Sequence, residues 1–225
     1  MRRALAVAVL SVGLLYAFGP WAAISADDGD KPKTVKVVPF RVEPFQFGLG
    51  ALSGWIRGAG EPGQKGDEGQ FGFLLQKHTA TSNFSASGAS LTGNIPKSGD
   101  QLNTLSFDIS GFPSEVAFGV ANGYCGAGAP RFNVVSDSGT CFLGCAHGDK
   151  TQDPNTGWWT IKFVPPFTQY AGCSGVTGPI TEIAIVFDEG NDQSIAPAAG
   201  NSPGDVVIDN ITVNNVVVGR PRDND

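Results

Sequence analysis

Four oxygen-bearing side chains surround one glycine in Asp188-Glu-Gly-Asn-Asp192. Calcium takes about six to eight oxygens in flexible geometry, which a loop of this kind supplies. Asp188, Asp192 and Asp209 are therefore the candidate ligands of one structural Ca2+, with Glu189 or Asn191 and main-chain carbonyls completing the shell. Simple alternation puts Asp209 on one strand face with the apolar Val207, Ile211 and Val213. A carboxylate there must be neutralised by a cation, by an arginine such as Arg131, or by several backbone N–H groups, and these alternatives stay open. Acceptance of backbone hydrogen bonds by Asp209 and Asn210 at a bulge needs no metal at all. Zinc would want nitrogen or thiolate ligands, which are scarce or oxidised here.

A second set of residues suits ligand binding. Arg131 follows a loop of Gly, Ala and Pro, and its planar guanidinium fork matches a carboxylate or an anionic sugar. A structural ion pair with Asp108 or Asp137 is the alternative. Trp158, Tyr124 and Tyr170 offer flat rings for the apolar face of a sugar. Trp158 is the strongest of the three, because strand parity groups it with Thr160 and Lys162, away from the core. Nucleophilic hydrolysis needs a histidine held beside a Ser or Cys, and the only histidines, His78 and His147, lie in no such setting. A glycosidase-type carboxylate pair is defined by spatial separation, so 21 acidic residues leave it open.

The four cysteines belong to the elements that position these groups. Residues 131–136 and 139–144 read as a hairpin turning at Asp137-Ser138, which sets position 130 opposite 145 and position 141 opposite 134. Cys125 and Cys145 then meet at the open end. An extended Cys141–Cys145 pair would be roughly 13 Å apart, beyond the ~7 Å reach of a bridge. The register favours Cys125–Cys145 with Cys141–Cys173, and leaves Cys125–Cys141 with Cys145–Cys173 as the alternative.

The N-terminus has Arg2-Arg3, an apolar run at 4–18, Pro20, and small residues at Ala22, Ala23, Ser25 and Ala26. That is the pattern of a secretory signal peptide over 1–26, so the chain is expected outside the cytoplasm, in the periplasm or extracellular space. Four cysteines then read as two disulfides. Loss of Arg2 and Arg3 on cleavage takes 15 basic residues to 13 against 21 acidic, a net charge of −8. Such a balance opposes phosphate backbones and anionic lipid, so nucleic acid and membrane are not expected partners; an extracellular glycan or surface component is.

With 31 Gly and 15 Pro in 225 residues, the mature chain suits a single β-rich domain over 34–218, after a mobile leader at 27–33 and before a frayed tail at 219–225. Strands are expected from Val35 to Phe47, with Pro39 and Pro44 marking an edge. Further strands are expected at 71–76, Leu105–Ile109, 116–120, 158–164, 183–187, Asp205–Val213 and Val216–Val218. The stretch 48–72 reads as a glycine-rich surface loop with Trp55 either plugging the core or exposed, and 148–155 as a polar loop. Its glycine every third residue from Gly60 to Gly72 is too short an array for a triple helix. About nine or ten short strands imply an all-β, antiparallel β-sandwich, most simply a jelly roll.

CGAGAPRFNV (125–134), Gly144-Cys145, IVFDEG (185–190) and VVIDNITVN (206–214) resemble a group of secreted bacterial β-proteins without an established function. More loosely, the last strand is similar to that of carbohydrate-binding modules with a jelly-roll fold, in which an Asp at the position of Asp209 belongs to a structural calcium site. The resemblance implies a secreted glycan-binding module. A structural or adhesive surface protein and a glycoside hydrolase are the other classes.

Overall fold

Large apolar residues at every second position make most of the strands half-buried, and two such sheets must cover one another. The computed structural model describes residues 39–63, 70–110, 125, 128–190 and 204–221. These lie in one compact unit, Val37–Asp225. The expected signal peptide and leader, the strand at 116–120, Tyr124, Asn191, Asp192 and the tail from 222 lie outside the described residues.

Two antiparallel sheets form a sandwich. The first runs β1 (Arg41–Phe47), β4 (Ala86–Thr92), β10 (Ile180–Phe187), β6 (Arg131–Ser136), β7 (Gly139–Gly144). The second runs β2 (Ala51–Ile56), β3 (Gly72–Lys77), β11 (Asp205–Val213), β5 (Leu105–Ile109), β9 (Trp159–Phe163), β8 (Asp149–Gln152), with β12 (Val216–Val218) also paired to β11. Phe132 of the first sheet meets Phe107 and Phe163 of the second, with ring centroids 5.5 and 6.1 Å apart. All three are buried, each contributing about 1.5–3 kcal/mol relative to exposure.

β1 is an edge strand as Pro44 within it indicates, and among the described residues it pairs with β4 alone. Three strands depart from expectation. β2 occupies the glycine-rich stretch, where half-buried Trp55 meets Phe73 edge-on at 5.1 Å, the core-facing alternative. β4 lies in the Ser/Thr-rich segment after β3; its small residues sit between β1 and β10, where Phe45 lies opposite Gly88. β8 falls in the polar loop and is defined by pairing with β9 rather than by burial.

The face of Asp209 is also corrected. The β11–β5 register shifts between Asp209 and Thr212, with Asn210 at φ 47°. Val206 and Ile208 point inward, and after this bulge Ile211 and Val213 do so again. Asp209 therefore sits opposite Asp108 on the outer face of the second sheet, not among the core residues.

Both disulfides favoured by the hairpin register are present: Cys125–Cys145, with Cα atoms 5.5 Å apart, and Cys141–Cys173, at 3.9 Å. Val134 pairs with Cys141 and Arg131 with Gly144, the register expected from the turn at Asp137-Ser138. Two disulfides indicate an oxidising environment of the extracellular type. Among the described residues no helix is long and apolar enough to cross a membrane.

Candidate functional site

Alternation along the β6–β7 hairpin sends Phe132, Val134, Cys141 and Leu143 into the core and leaves Arg131, Asn133 and Phe142 on the outer face. Arg131 Nη1 and Nη2 donate to Asp188 Oδ1 and Oδ2 at 2.6 and 2.8 Å, and Nε donates to Asn133 Oδ1 at 3.1 Å. The guanidinium carbon lies 5.8 Å from the centroid of the Phe142 ring, which is 47% exposed. Of the five guanidinium N–H donors these contacts engage three.

Beside Arg131 opens a cleft of about 380 Å³, lined by Arg131, Phe142 and His147 with Gly128, Gly144, Ala171 and Gly172. One wall, 171–174, is held beside β7 by Cys141–Cys173 and by hydrogen bonds from Phe142 N to Gly172 O (2.9 Å) and from Ser174 N to Thr140 O (3.1 Å). The other is anchored by Cys125–Cys145. A Cβ on Gly144 would stand 2.6 Å from Gly128 O, so glycine is required for the walls to meet at the floor. Lys150 Nζ donates to Ala146 O and Gly148 O, bracing the turn that carries His147. Burial holds the Lys150 ammonium below the usual lysine range.

A different polar group covers the outer face of the second sheet. The loop 57–63 lays Glu61 over β5 and β11. Glu61 N donates to Asp209 Oδ2 at 2.8 Å, and Asn210 N donates to Asp209 Oδ1 at 2.7 Å. Asn210 Nδ2 donates to Glu61 Oε2 (3.1 Å) and Asp108 Oδ2 (2.6 Å), while Thr156 and Thr160 hydroxyls donate to Glu61 Oε1 (2.8 Å) and Asp108 Oδ1 (2.5 Å). Burial, with the neighbouring Glu61 adding to it, pushes the Asp108 carboxyl up to about 6 against the lowering effect of Thr160 and Asn210. The two carboxyls form a covered pair, with Glu61 buried.

The residues singled out in the sequence are not brought together. Arg131 pairs with Asp188, neither Asp108 nor Asp137. Trp158 precedes β9 and has the outward parity expected, yet it is only 8% exposed. Its main-chain N–H donates to Thr156 Oγ1 at 3.3 Å, and the Thr156 hydroxyl donates to Glu61 of the loop that roofs this part of the outer face. Tyr170 is buried too, packed edge-on against Phe163 at 5.2 Å, with its hydroxyl accepting from Val164 N at 3.1 Å. Neither ring is an exposed stacking surface. Phe142 is such a ring; its parity between Cys141 and Leu143, both inward, was the available signal.

Two of the three expected calcium ligands have other partners. Both Asp188 oxygens face the guanidinium of Arg131, and both Asp209 oxygens accept main-chain N–H groups, whose dipoles would oppose a cation. Asp192 lies outside the described residues, and among those described no three His, Cys, Asp or Glu side chains are grouped to hold a metal. The chain matches no protein family and no curated protein.

Proposed function

We propose that the chain is an exported binding module that holds a unit of carbohydrate in the cleft at Arg131. The observation that carries this reading is the Arg131–Asp188 pair beside a half-exposed aromatic ring. A planar ion pair offers adjacent donors and acceptors of the kind a vicinal diol requires, and Phe142 offers an apolar face for the ring of the sugar. Because Asp188 already balances the arginine, the cleft suits a neutral sugar better than a free carboxylate. Its volume of about 380 Å³ lies at the small end of ligand sites, enough for one or two units. Disulfides on both walls pre-form the cleft, so little ordering entropy opposes binding. The similarity of the last strand to carbohydrate-binding modules points the same way.

A glycan array probed with the secreted chain tests this. The expected result is retention on a defined set of neutral glycans that Phe142→Ala weakens by about tenfold or more, with the melting temperature unchanged. Absence of any glycan retention, or retention indifferent to Phe142→Ala, overturns the reading.

A further inference from the structure

Two loops at one end of the sandwich carry apolar side chains that the core does not take. Phe84 is 92% exposed and Leu49 84%; Phe47 and Leu52, on either side of Leu49 in sequence, are close to half exposed. The Phe47 and Phe84 rings lie 5.3 Å apart, so the two loops form one patch. A side chain in a groove cannot reach such exposure; these residues stand on convex tips.

The tips are held rigidly. Gly48 has φ +76°, and a Cβ there would stand 2.6 Å from Ser85 Cβ and 2.7 Å from Phe84 O, so the loop backbones touch. His78 N donates to Gly50 O at 2.8 Å. Lys77, fully buried, donates from Nζ to Thr81 O (3.0 Å), Asn83 O (2.8 Å) and Asp188 O (2.9 Å). A buried ammonium is costly, and here it fixes the loop that ends in an exposed phenylalanine. Residues 44–56 and 79–96, which hold both tips, the near end of β1 and all of β2 and β4, contain no Asp, Glu, Lys or Arg; Arg41 and Glu43 lie at the far end of β1, and Lys77 is buried.

We infer that these two tips insert into the interfacial layer of a zwitterionic lipid bilayer. Absence of charge matches an uncharged surface, and the hydroxyl and amide side chains around the tips suit a headgroup layer. The net charge of −6 opposes anionic lipid, not a neutral one. A second copy of the chain fits less well, because two convex tips are not self-complementary. Their exposed apolar area, on the order of 500 Å², is also below the ~800 Å² per partner of a standard interface.

Co-sedimentation with phosphatidylcholine vesicles tests the inference. The protein used is the chain from Asp27, which keeps every described element and omits the apolar run 4–18, itself able to bind lipid. It is expected to sediment with the vesicles, to remain bound in about 0.5 M NaCl, and to lose about tenfold or more of its partitioning when Leu49→Ser and Phe84→Ser are combined. If the double variant melts early, Leu49→Ser alone reads the same loss. Failure to sediment, partitioning unchanged in the variant, or release by salt overturns the inference. So does a dimer in analytical ultracentrifugation that the double variant dissociates, which would give the patch to a second copy. Because Phe142 and Arg131 take no part, the outcome is independent of glycan binding.

Discussion

The outer faces of the two sheets hold their charged groups in opposite ways. On the first sheet, Arg131 and Asp188 compensate each other beside an open cleft, with donors left over and an aromatic ring in reach of solvent. On the second, Glu61, Asp108 and Asp209 are gathered under the loop 57–63, and each of their six carboxylate oxygens accepts a hydrogen bond from the protein. An opposite-charge pair can stay wet and available because it needs no cover. Like charges that have been covered must be satisfied internally, which leaves nothing to offer a ligand. The acidic residues, the more suggestive group in the sequence, are thus the structural ones.

Truncation should expose this contrast most sharply at Trp158. If the roofed face is part of the folded core, Trp158→Ala lowers stability by about 3–5 kcal/mol in chemical denaturation; a loss within about 0.5 kcal/mol would make that face open and the comparison wrong. Asp209→Ala comes next, because the N–H groups of Glu61 and Asn210 lose a charged acceptor in a buried place. The expected cost is about 2–3 kcal/mol, with calcium making no difference to the melting temperature of the wild-type chain. A calcium-dependent rise abolished by this substitution would restore the metal site.

The pH dependence is a finer probe. The Asp108 carboxyl rises from an ordinary 3.8 to about 6 on folding, so the folded protein holds the proton more tightly than the unfolded chain. Its contribution to stability is full below about pH 4 and is lost as pH rises through about 6. Burial raises this value most, Thr160 and Asn210 lower it by donating to the carboxylate, and Glu61 raises it further. Asp108→Asn, neutral and of the same shape, should gain in melting temperature relative to the wild type between pH 5 and pH 8. A constant difference across that range would mean that Asp108 titrates as it does in water. The smallest effect on stability is expected on the open face, where Phe142→Ala should cost no more than about 0.5 kcal/mol while weakening glycan retention.

The hairpin 131–144 was legible because everything that determines it is local. A two-residue turn sets the register, the register sets which cysteines face each other, and alternation sets which side chains point inward. β5, β10 and β11 were legible for the same reason, each carrying its own apolar alternation. β2, β4 and β8 were not: what makes them strands is a neighbour's backbone supplying hydrogen bonds, and glycine, serine and lysine bear no mark of that.

The amino-acid sequence by itself carried the sandwich and the hairpin register that favours the observed pairing of the cysteines. Only the tertiary structure decided that Phe142 stays exposed and that Trp158 is buried, beside a segment that Thr156 ties to Glu61, 95 residues apart. It likewise turned Asp188 into the partner of Arg131, 57 residues away, and placed Asp209 under the N–H of Glu61, 148 residues away. One bulge at Asn210 moved Asp209 from the expected face to the other. Charge and hydrogen-bonding capacity are properties of a residue, whereas their satisfaction depends on which distant segment folds over it.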